Sequence, residues 1–493
     1  MQNHYLLIDI SAKQHYIFTS NKLKENVGAS FIISNQILGS LLNDSYSKFG
    51  DQHFKNIGGG NAILSFNDLK SLKEFVFSYS EAILMRYPGI YLELGYANSV
   101  NEDGSSKSFT DIRGDLFTSK IGRRNKSFFE SRPSDLGIGE KCSFSGFPAN
   151  RKLDDKFINF ESEQKISHSK AALENLIEIC ELDNQEFTFS TKVEQIVSDD
   201  ENGYVAVVHI DGNRMGDFFS TELSAEIFKL RSQNVEQKVN DSLKQLIKEL
   251  LDLTDEKGVI EGKYNKIRIE LVKEGDRFIL PIRPIINAGD DITFICHGRL
   301  GLYLAKRYVE LLQDESTGNM SIKSCAGVAI VHTKYPFYRA YQLASELCDS
   351  AKNHSRSLHE TAQSRIQYII STSGFTSNLE QMIKSQYSTE NKSFKGASYA
   401  IGDSTKSKDR IERFEELSDL AEELFFKSSR WPKNKLQKLR EHIQFSNKHL
   451  KYYVEETRVT SKIIGKNIYN INLDHQQDAL FEAIELSEFY LYL

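Results

Sequence analysis

Hydrophobic and polar positions alternate along this chain in two similar blocks, one near the N-terminus and one in the middle. Runs with a period of two predict strands, and runs with a period near 3.6 predict helices. The first block gives strands at residues 5–10, 62–66 and 90–97, helices at residues 21–42 and 69–85, and a Gly-rich turn at residues 58–61. The order β–α–β–β–α–β is that of a ferredoxin-like domain.

The second block repeats this order and adds one helix and one strand. Its strands are predicted at residues 204–211, 284–286, 292–296, 325–332 and 366–370, and its helices at residues 223–253, 299–312 and 338–351. The two blocks therefore form an internal repeat of topology, although they share no sequence motif.

The pattern is less regular between the blocks and becomes helical and charged after the second. Helical periodicity returns over residues 409–426 and 433–453. We therefore predict an α+β fold with four parts: a ferredoxin-like domain over residues 1–110, an irregular linker region over residues 111–203, a second ferredoxin-like domain over residues 204–374, and a helical domain over residues 375–493.

Composition places the chain among ordinary globular proteins. Of its 493 residues, 40% are hydrophobic and 26% charged, and the net charge of −6 argues against a general nucleic-acid coat. No run approaches the ~20 apolar residues of a membrane span, and no signal peptide is evident, so no membrane partner is expected. Five cysteines without a CxxC pair indicate reduced thiols and a cytoplasmic location.

The most informative stretch is PIINAGDDITFICH, residues 284–297. It predicts a hairpin with Asp290 and Asp291 at its tip, between two apolar strands. Adjacent carboxylates in such a place are costly unless they are neutralised, and Mg²⁺ prefers hard oxygen ligands of this kind. An ordinary Asp-rich turn is the alternative for this stretch taken alone.

A second stretch favours a metal site over an ordinary turn. The apolar strand at residues 204–211 ends in Asp211, and the sequence DGNRMG then supplies Gly212, Asn213 and Gly216. A carboxylate followed by a glycine-bearing loop suits a metal–triphosphate site, because exposed backbone N–H groups can face phosphate oxygens. If the hairpin lies beside this strand, the three carboxylates make a two-metal site, with metals roughly 3.5–4 Å apart.

Three motifs in this order resemble a known family. DGNRMG, NAGDD, and AGVAIVHTKYP with a following helix that ends in Ala351-Lys352 resemble the second palm domain of the large subunit of type III CRISPR effector complexes. That subunit has a palm like that of diguanylate cyclases and makes cyclic oligoadenylates from ATP. The family's turn is Gly-Gly-Asp-Asp, and this chain has Ala288 in place of the first Gly.

The resemblance implies roles for particular residues. Two Mg²⁺ or Mn²⁺ ions are expected on the catalytic residues Asp211, Asp290 and Asp291. Lys352 is expected to reach a triphosphate, although a solvated lysine favoured by the helix dipole is an equal alternative. The residues expected to bind nucleotide are Gly28, Ser30, Gly212, Asn213, Gly216, Gly289 and Lys352.

The first block resembles the family's first palm, in which a helix carries a Gly-Ser step. Gly28 and Ser30 match that step and are expected to contact a nucleotide shared with the second palm; close helix packing is the alternative. The turn at residues 58–61 is Gly-Gly-Gly-Asn. Because it holds no acid, the first palm is not expected to bind catalytic metal.

Two further features of the family are expected to be missing. The linker keeps Cys142 of the family's zinc ribbon, but Ser145 stands at the partner position. Structural zinc needs four S or N ligands, so no zinc is expected. The sequence begins directly at the first palm without a His-Asp doublet, so we expect a short form that lacks the HD nuclease domain.

The sequence therefore predicts a metal-dependent nucleotidyltransferase. It would make a cyclic or linear oligonucleotide second messenger from ATP or another nucleoside triphosphate in antiviral defence. One alternative is a catalytically silent CRISPR-like scaffold subunit that binds guide RNA and small partner subunits. Another is a sensor that binds ATP without turnover. An RNA or protein activator and a homodimer are compatible with the sequence.

Overall fold

The computed structural model describes most of the chain, and all structural statements below concern that part. The described residues are 3–49, 54–124, 139–153, 155–182, 186–198, 203–220, 224–263, 267–317, 320–358, 363–371, 379–389, 392–393, 398–402, 411–422, 433–445, 449, 452–453, 456 and 473–493.

The first palm is a four-stranded antiparallel sheet with helices on its faces. Its elements are β1 (His4–Ser11), α1 (Lys13–Phe18), α2 (Leu23–Phe31), a π-helical segment (Ile32–Leu41), α3 (Leu42–Ser47), β2 (Lys55–Gly58), β3 (Asn61–Phe66), α4 (Leu69–Arg86), β4 (Tyr91–Asn98) and α5 (Phe109–Arg124). The strand order β2-β3-β1-β4 is that of the ferredoxin-like fold and confirms the predicted topology.

One predicted element differs in detail. The helix predicted over residues 21–42 is divided into α2, the π-helical segment and α3. Gly39 has the non-helical angles φ −99° and ψ −105°, which interrupt the regular α-helical ladder. Such an interruption is tolerated because glycine has no Cβ to clash with the neighbouring turn.

The linker region is more ordered than predicted. Its elements are β5 (Arg151–Leu153), β6 (Lys156–Ile158), α6 (Phe160–Ser167), α7 (Ser169–Ile179), β7 (Phe187–Phe189) and a 3₁₀ turn (Glu194–Val197). Both helices pack against α2 of the first palm. Cys142 is buried, and its thiol lies 3.4 Å from the Ser162 hydroxyl. Ordinary packing therefore orders this region around the first palm.

The second palm is built on a six-stranded sheet of order β13-β14-β8-β15-β16-β19. Its elements up to the last long strand are β8 (Tyr204–Gly212), α8 (Met215–Ser220), α9 (Ala225–Asp252), β9 (Val259–Glu261), β10 (Arg268–Glu270), β11 (Lys273–Glu274), β12 (Arg277–Leu280), β13 (Ile282–Ala288), β14 (Asp291–His297), α10 (Gly301–Gln313), β15 (Ser324–His332), α11 (Phe337–Ser357) and β16 (Arg365–Ile370). The first four strands in this order repeat the topology of the first palm, as predicted.

The C-terminal region packs on the second palm. Its elements are α12 (Leu379–Gln386), β17 (Ser388–Thr389), β18 (Lys392–Ser393), β19 (Tyr399–Ala400), α13 (Phe414–Glu422), α14 (Lys433–Phe445) and α15 (Leu473–Phe489). Strand β19 pairs with β16, so the second sheet draws a strand from this region. The domain limit at residue 374 and the predicted helical residues 423–426 and 446–448 lie outside the described ranges. None of the described helices has the length and apolar character that crossing a membrane requires.

The two palms face each other in a nearly symmetric way. Helix α2 of the first palm packs on β13 of the second, and α9 of the second packs on β2 of the first. The two hairpin tips also meet: a Cβ added at Gly289 would lie 2.7 Å from the Gly59 Cα. Each palm therefore contributes a hairpin and a helix to the same interface, and the candidate site lies at its centre.

Candidate active site

The acidic residues of the second palm come together where β8 ends beside the tip of the β13–β14 hairpin. Gly289 and Asp290 form a two-residue turn in which only Gly289 has positive φ, +64°, the pattern of a type II′ turn. Strand β14 pairs with β8 so that Ile292 lies opposite Ile210. Continuing this register brings Asp291 opposite Asp211, so the sheet itself places the carboxylates side by side.

Gly212 leaves room for the Asp290 side chain where β8 ends. A Cβ at Gly212 would lie 2.8 Å from Asp290 Oδ2 and 2.7 Å from Met215 Cγ. Any larger residue would therefore push the Asp290 carboxylate away from the end of β8. The role of Gly212 is therefore to leave space for the Asp290 carboxylate. Any contact of its backbone with a ligand would add to this role.

The three carboxylates strongly influence one another. Burial, and then the neighbouring Asp211 carboxylate, raise the pKa of Asp290 to about 7. The same two causes raise the pKa of Asp291 to about 7, although Lys352 and Lys13 oppose them. Negative charge is thus concentrated beyond what the protein's own cations neutralise.

Lys352 supplies the direct counter-charge. Its ammonium donates a hydrogen bond to Asp211 Oδ2 from within α11, because the helix continues past the predicted end at Lys352 to Ser357. Although burial works against the charged form, the Asp211 carboxylate raises the pKa of Lys352. The predicted lysine therefore lies within the acidic cluster rather than on a solvated helix end.

Asp291 keeps one oxygen without a partner. Its Oδ1 is buried and accepts no hydrogen bond. His209 Nδ1 lies 3.3 Å away but is 3.0 Å from the Thr293 hydroxyl. Because burial lowers the pKa of His209 to about 4, this ring is neutral at physiological pH and brings no charge to Asp291.

These residues fit a divalent cation in charge and donor chemistry. Three hard carboxylate groups, a raised pKa at two of them and an orphaned buried oxygen are what Mg²⁺ or Mn²⁺ would relieve. As the side chains stand, no group of three acidic, His or Cys residues in the described part of the chain is gathered closely enough to hold a metal ion. In this arrangement the Asp211 carboxylate is paired with Lys352.

The first palm repeats the pairing of an acid and a lysine. Asp9 lies opposite Asn61, the first residue of β3, as Asp211 lies opposite Asp291. Lys120 on α5 is 2.7 Å from Asp9, and Lys13 is 3.1 Å from it. Although burial opposes them, Lys13 and Lys120 lower the pKa of Asp9. In the first palm two ammonium groups therefore supply the counter-charge of the acid, and the absence of a catalytic metal there stays a prediction.

Lys13 also acts on the second palm. A Cβ at Gly60 would lie 2.6 Å from Lys13 Nζ, so this ammonium lies at the first palm's hairpin tip. The neighbouring Gly59 touches Gly289, and Lys13 opposes the rise in the pKa of Asp291. Lys13 is therefore a cation of one palm that acts on an acid of the other.

The remaining predicted residues lie in different surroundings. Asn213 donates its amide to the Gln363 carbonyl at 2.8 Å, and its backbone N–H bonds to Lys323, so it anchors the loop after β8. Gly216 is exposed in α8 and has open space around it. Ser30 lines a cavity between the palms. A Cβ at Gly28 would lie 1.8 Å from the Lys165 carbonyl oxygen, so Gly28 serves the close packing of α2 on α6.

Sequence reasoning missed Lys13, Lys120 and His209. The signal for the first two was positional: Asp9 lies near the end of the first strand of its block, as Asp211 does in the other. His209 precedes Asp211 by two residues, so it points to the same face of the strand.

A substitution at Asp290 should reveal the charge repulsion by its effect on stability. An unfolded Asp ionises near pH 3.8 and the folded Asp290 near pH 7. Between these values the unfolded chain holds fewer protons, so the free energy of unfolding falls as pH rises. We expect metal-free Asp290→Asn to melt higher than the unsubstituted chain at pH 8 and to lose this advantage near pH 4.

Calorimetry in EDTA at several pH values measures this difference, and the contribution of His209 cancels between the two proteins. Added Mn²⁺ should raise the Tm of the unsubstituted chain at pH 8 more than that of Asp290→Asn. Equal melting temperatures of the two proteins across the pH range would contradict the repulsion.

Residues 204–358 match the family model described as Cas10/Cmr2, second palm domain. No curated protein matches the sequence.

Solved structures share the fold along the whole chain. Csm1 in T. onnurineus aligns over 99% of this chain and 70% of its own, with a TM-score of 0.60 and 15% identity. A Csm1-Csm4 cassette in complex with cA3 aligns over the same shares, with a TM-score of 0.58 and 13% identity. The same cassette with one ATP gives a TM-score of 0.56 and 14% identity over these shares. At such low identity the likeness shows a common fold.

Proposed function

We propose that this chain, whose residues 204–358 are a second palm domain of the Cas10/Cmr2 family, is a metal-dependent nucleotidyltransferase that makes a cyclic or linear oligonucleotide from nucleoside triphosphates. The observation that carries the proposal is the meeting of Asp211, Asp290 and Asp291 where β8 ends beside a hairpin tip. Relatives of the same fold solved with cA3 and with ATP support it.

Asp211, Asp290 and Asp291 would hold two Mg²⁺ or Mn²⁺ ions. When bound, such ions make a ribose hydroxyl a better nucleophile and stabilise the charge of the departing pyrophosphate. The chain's own contribution is positional. Gly212 leaves room for Asp290, and the contact between Gly59 and Gly289 fixes the hairpin tip against the first palm.

Lys352 would exchange its partner when substrate binds. In the absence of ligand it bonds to Asp211, which is a metal ligand in this proposal. A metal ion on Asp211 would free the ammonium for triphosphate oxygens, which it could bind as a point charge. Lys352 would then neutralise the acidic cluster when no ligand is bound, and the triphosphate when substrate is bound.

Lys352→Met should therefore change metal binding and turnover in opposite directions. We expect Mn²⁺ to bind several-fold more tightly, because its competitor for Asp211 is gone. We expect turnover to fall by roughly 10- to 100-fold, because a charge contact to the triphosphate is lost. Mn²⁺ titration by electron paramagnetic resonance and a pyrophosphate-release assay measure the two effects. A parallel fall in both would contradict the proposed exchange.

Incubation with all four nucleoside triphosphates tests the proposed function directly. The purified chain is given Mg²⁺ or Mn²⁺, and the products are identified by mass spectrometry. An oligonucleotide product with release of pyrophosphate is expected, and its mass distinguishes linear from cyclic forms. Absence of any product, with and without added RNA, would contradict the proposal.

A catalytically silent scaffold subunit is the second candidate. It is favoured by the solved relatives, several of which are cassettes of Csm1 with Csm4. Copurification with small partner subunits and guide RNA, together with failure to bind Mn²⁺, would support it over the enzyme.

A further inference from the structure

Helix α4 of the first palm carries a ridge of exposed side chains on its outer face. Residues four positions apart on a helix line up as such a ridge. The α4 ridge consists of Leu69, Lys73, Phe77, Glu81 and Met85, all of which are exposed. Phe77 is 72% exposed and Met85 73%, so two large apolar side chains are left in contact with water. The order along the ridge is apolar, positive, aromatic, negative, apolar.

The corresponding helix of the second palm is covered. Helix α10 follows β14 as α4 follows β3, so the two helices occupy equivalent places in the two palms. All 13 residues of α10 are buried or half-buried. The C-terminal region packs over this helix: Lys306 lies 3.7 Å from Glu415 of α13, and the Leu491 N–H donates to the Arg299 carbonyl. The outer face of this helix is therefore one on which the same fold packs a further layer.

The α4 ridge is complementary to a second copy of itself. A two-fold axis through Phe77 reverses the ridge, so Phe77 of one copy meets Phe77 of the other. Leu69 then lies beside Met85 of the second copy, and Lys73 lies beside its Glu81. An interface with two-fold symmetry needs such self-complementarity, because each contact away from the axis is made twice. An aromatic pair, two apolar pairs and two ion pairs would form together.

The two charges of the ridge are available for these contacts. Lys70 and Glu74 of α4 form an ion pair at 3.9 Å. Lys73 and Glu81 form no ion pair with any residue that the structure describes. They lie roughly 12 Å apart along the helix axis, too far to pair within one copy. The same two-fold axis brings Lys70 beside Leu84 of the second copy, so its charge does not meet another lysine.

We propose that α4 is a self-association surface, on which two copies of this chain pair in antiparallel fashion about a two-fold axis at Phe77. The inference goes beyond the proposed function and does not depend on it. Helices α2 and α9 form the interface between the palms, whereas the α4 ridge faces solvent, so pairing leaves each candidate active site uncovered. A single helix pair buries less than the roughly 1,200 Å² of a stable specific interface, so we expect a dissociation constant on the order of 10–100 µM.

Sedimentation velocity of the full chain, from about 1 to 200 µM at low ionic strength, measures this association. We expect the weight-average sedimentation coefficient to rise with concentration toward that of a dimer. Phe77→Glu places two carboxylates at the axis and should raise the dissociation constant at least about tenfold. Phe445→Glu is the matched control, because Phe445 is 73% exposed but lies on α14. It should keep the dimer.

Exchange of the two charges distinguishes pairing of two copies from non-specific association. Lys73→Glu and Glu81→Lys should each weaken the dimer about fivefold, because each places like charges beside one another. The double variant restores opposite charges and should return the dissociation constant to within about twofold of its original value. Lysine and glutamate both favour helix, so the fold should persist, which circular dichroism checks.

Three results would overturn the proposed pairing. The first is a chain that remains monomeric at the highest concentration. The second is a dimer that Phe77→Glu leaves intact, and the third is a double charge variant that associates as weakly as the single ones. Copurification of a different protein that is lost in Phe77→Glu would assign the α4 ridge to that protein instead of a second copy.

Discussion

Replacement of Asp290 by alanine is expected to lower oligonucleotide synthesis by roughly 10³-fold or more. Asp290 is the carboxylate most directly coupled to Asp211, and burial with that neighbour raises its pKa to about 7. Removing it would take one ligand from a site whose three acids act as a unit. Pyrophosphate release and mass spectrometry of the products measure the loss at saturating triphosphate and metal.

The fold should survive this change, since a repulsive charge is removed and Asp290 is only half-buried. Asp103→Ala is the matched control, because Asp103 lies on an exposed turn and bonds only locally to Ser105. Adding Asp211→Ala to Asp290→Ala should lower the residual rate little further, as expected for groups that act together. Full synthesis by a folded Asp290→Ala would remove the acidic cluster from the mechanism.

The part of the fold that follows from periodicity was predictable. The strand that ends in Asp211 and the hairpin that carries Asp290 were both evident in the sequence, and the β–α–β–β–α–β order leaves few ways to place them. Their contact follows from that order, because the hairpin must pair beside the first strand. The acidic cluster was therefore predictable as a set of residues, although its relation to Lys352 was not.

Residues whose roles depend on contacts between parts of the chain that are distant in sequence were not predictable. Lys13 reaches the second palm only because two hairpin tips meet, and no local pattern reports such a meeting. Gly28 matched a family motif, but the backbone that approaches it belongs to α6, from a region predicted to be irregular.

The two palms differ in how the acid near the end of their first strand is neutralised. In the first palm the hairpin acids are replaced by Gly60 and Asn61, while Asp9 persists between Lys13 and Lys120. An ammonium group there provides the positive charge that the second palm would take from a metal. Because Lys13 also acts on Asp291, the first palm contributes charge as well as support to the proposed reaction.

Gly289→Ala should be the most damaging small substitution outside the acidic residues. Gly289 has φ of +64°, and an added Cβ would lie 2.7 Å from the Gly59 Cα and 3.1 Å from its nitrogen. These atoms are backbone and cannot move aside as a flexible side chain could. The hairpin tip must therefore shift away from the first palm and take Asp290 and Asp291 with it. A misplacement of about 1 Å in a catalytic site can cost about 10²-fold in rate, which is the loss we expect.

Gly275→Ala is the matched control, because it introduces the strain of a left-handed alanine without a contact like that between Gly289 and Gly59. Gly275 has the same φ of +64°, lies in the hairpin between β11 and β12, and has open space where its Cβ would be. Both substitutions should lose the roughly 1–2 kcal/mol that a left-handed alanine costs. Only Gly289→Ala should lose more stability than this and lose activity as well, as measured by chemical denaturation and pyrophosphate release. If both variants lost the same stability and kept the same activity, the hairpin tips would not be in tight contact, and the first palm would not position the carboxylates of the second.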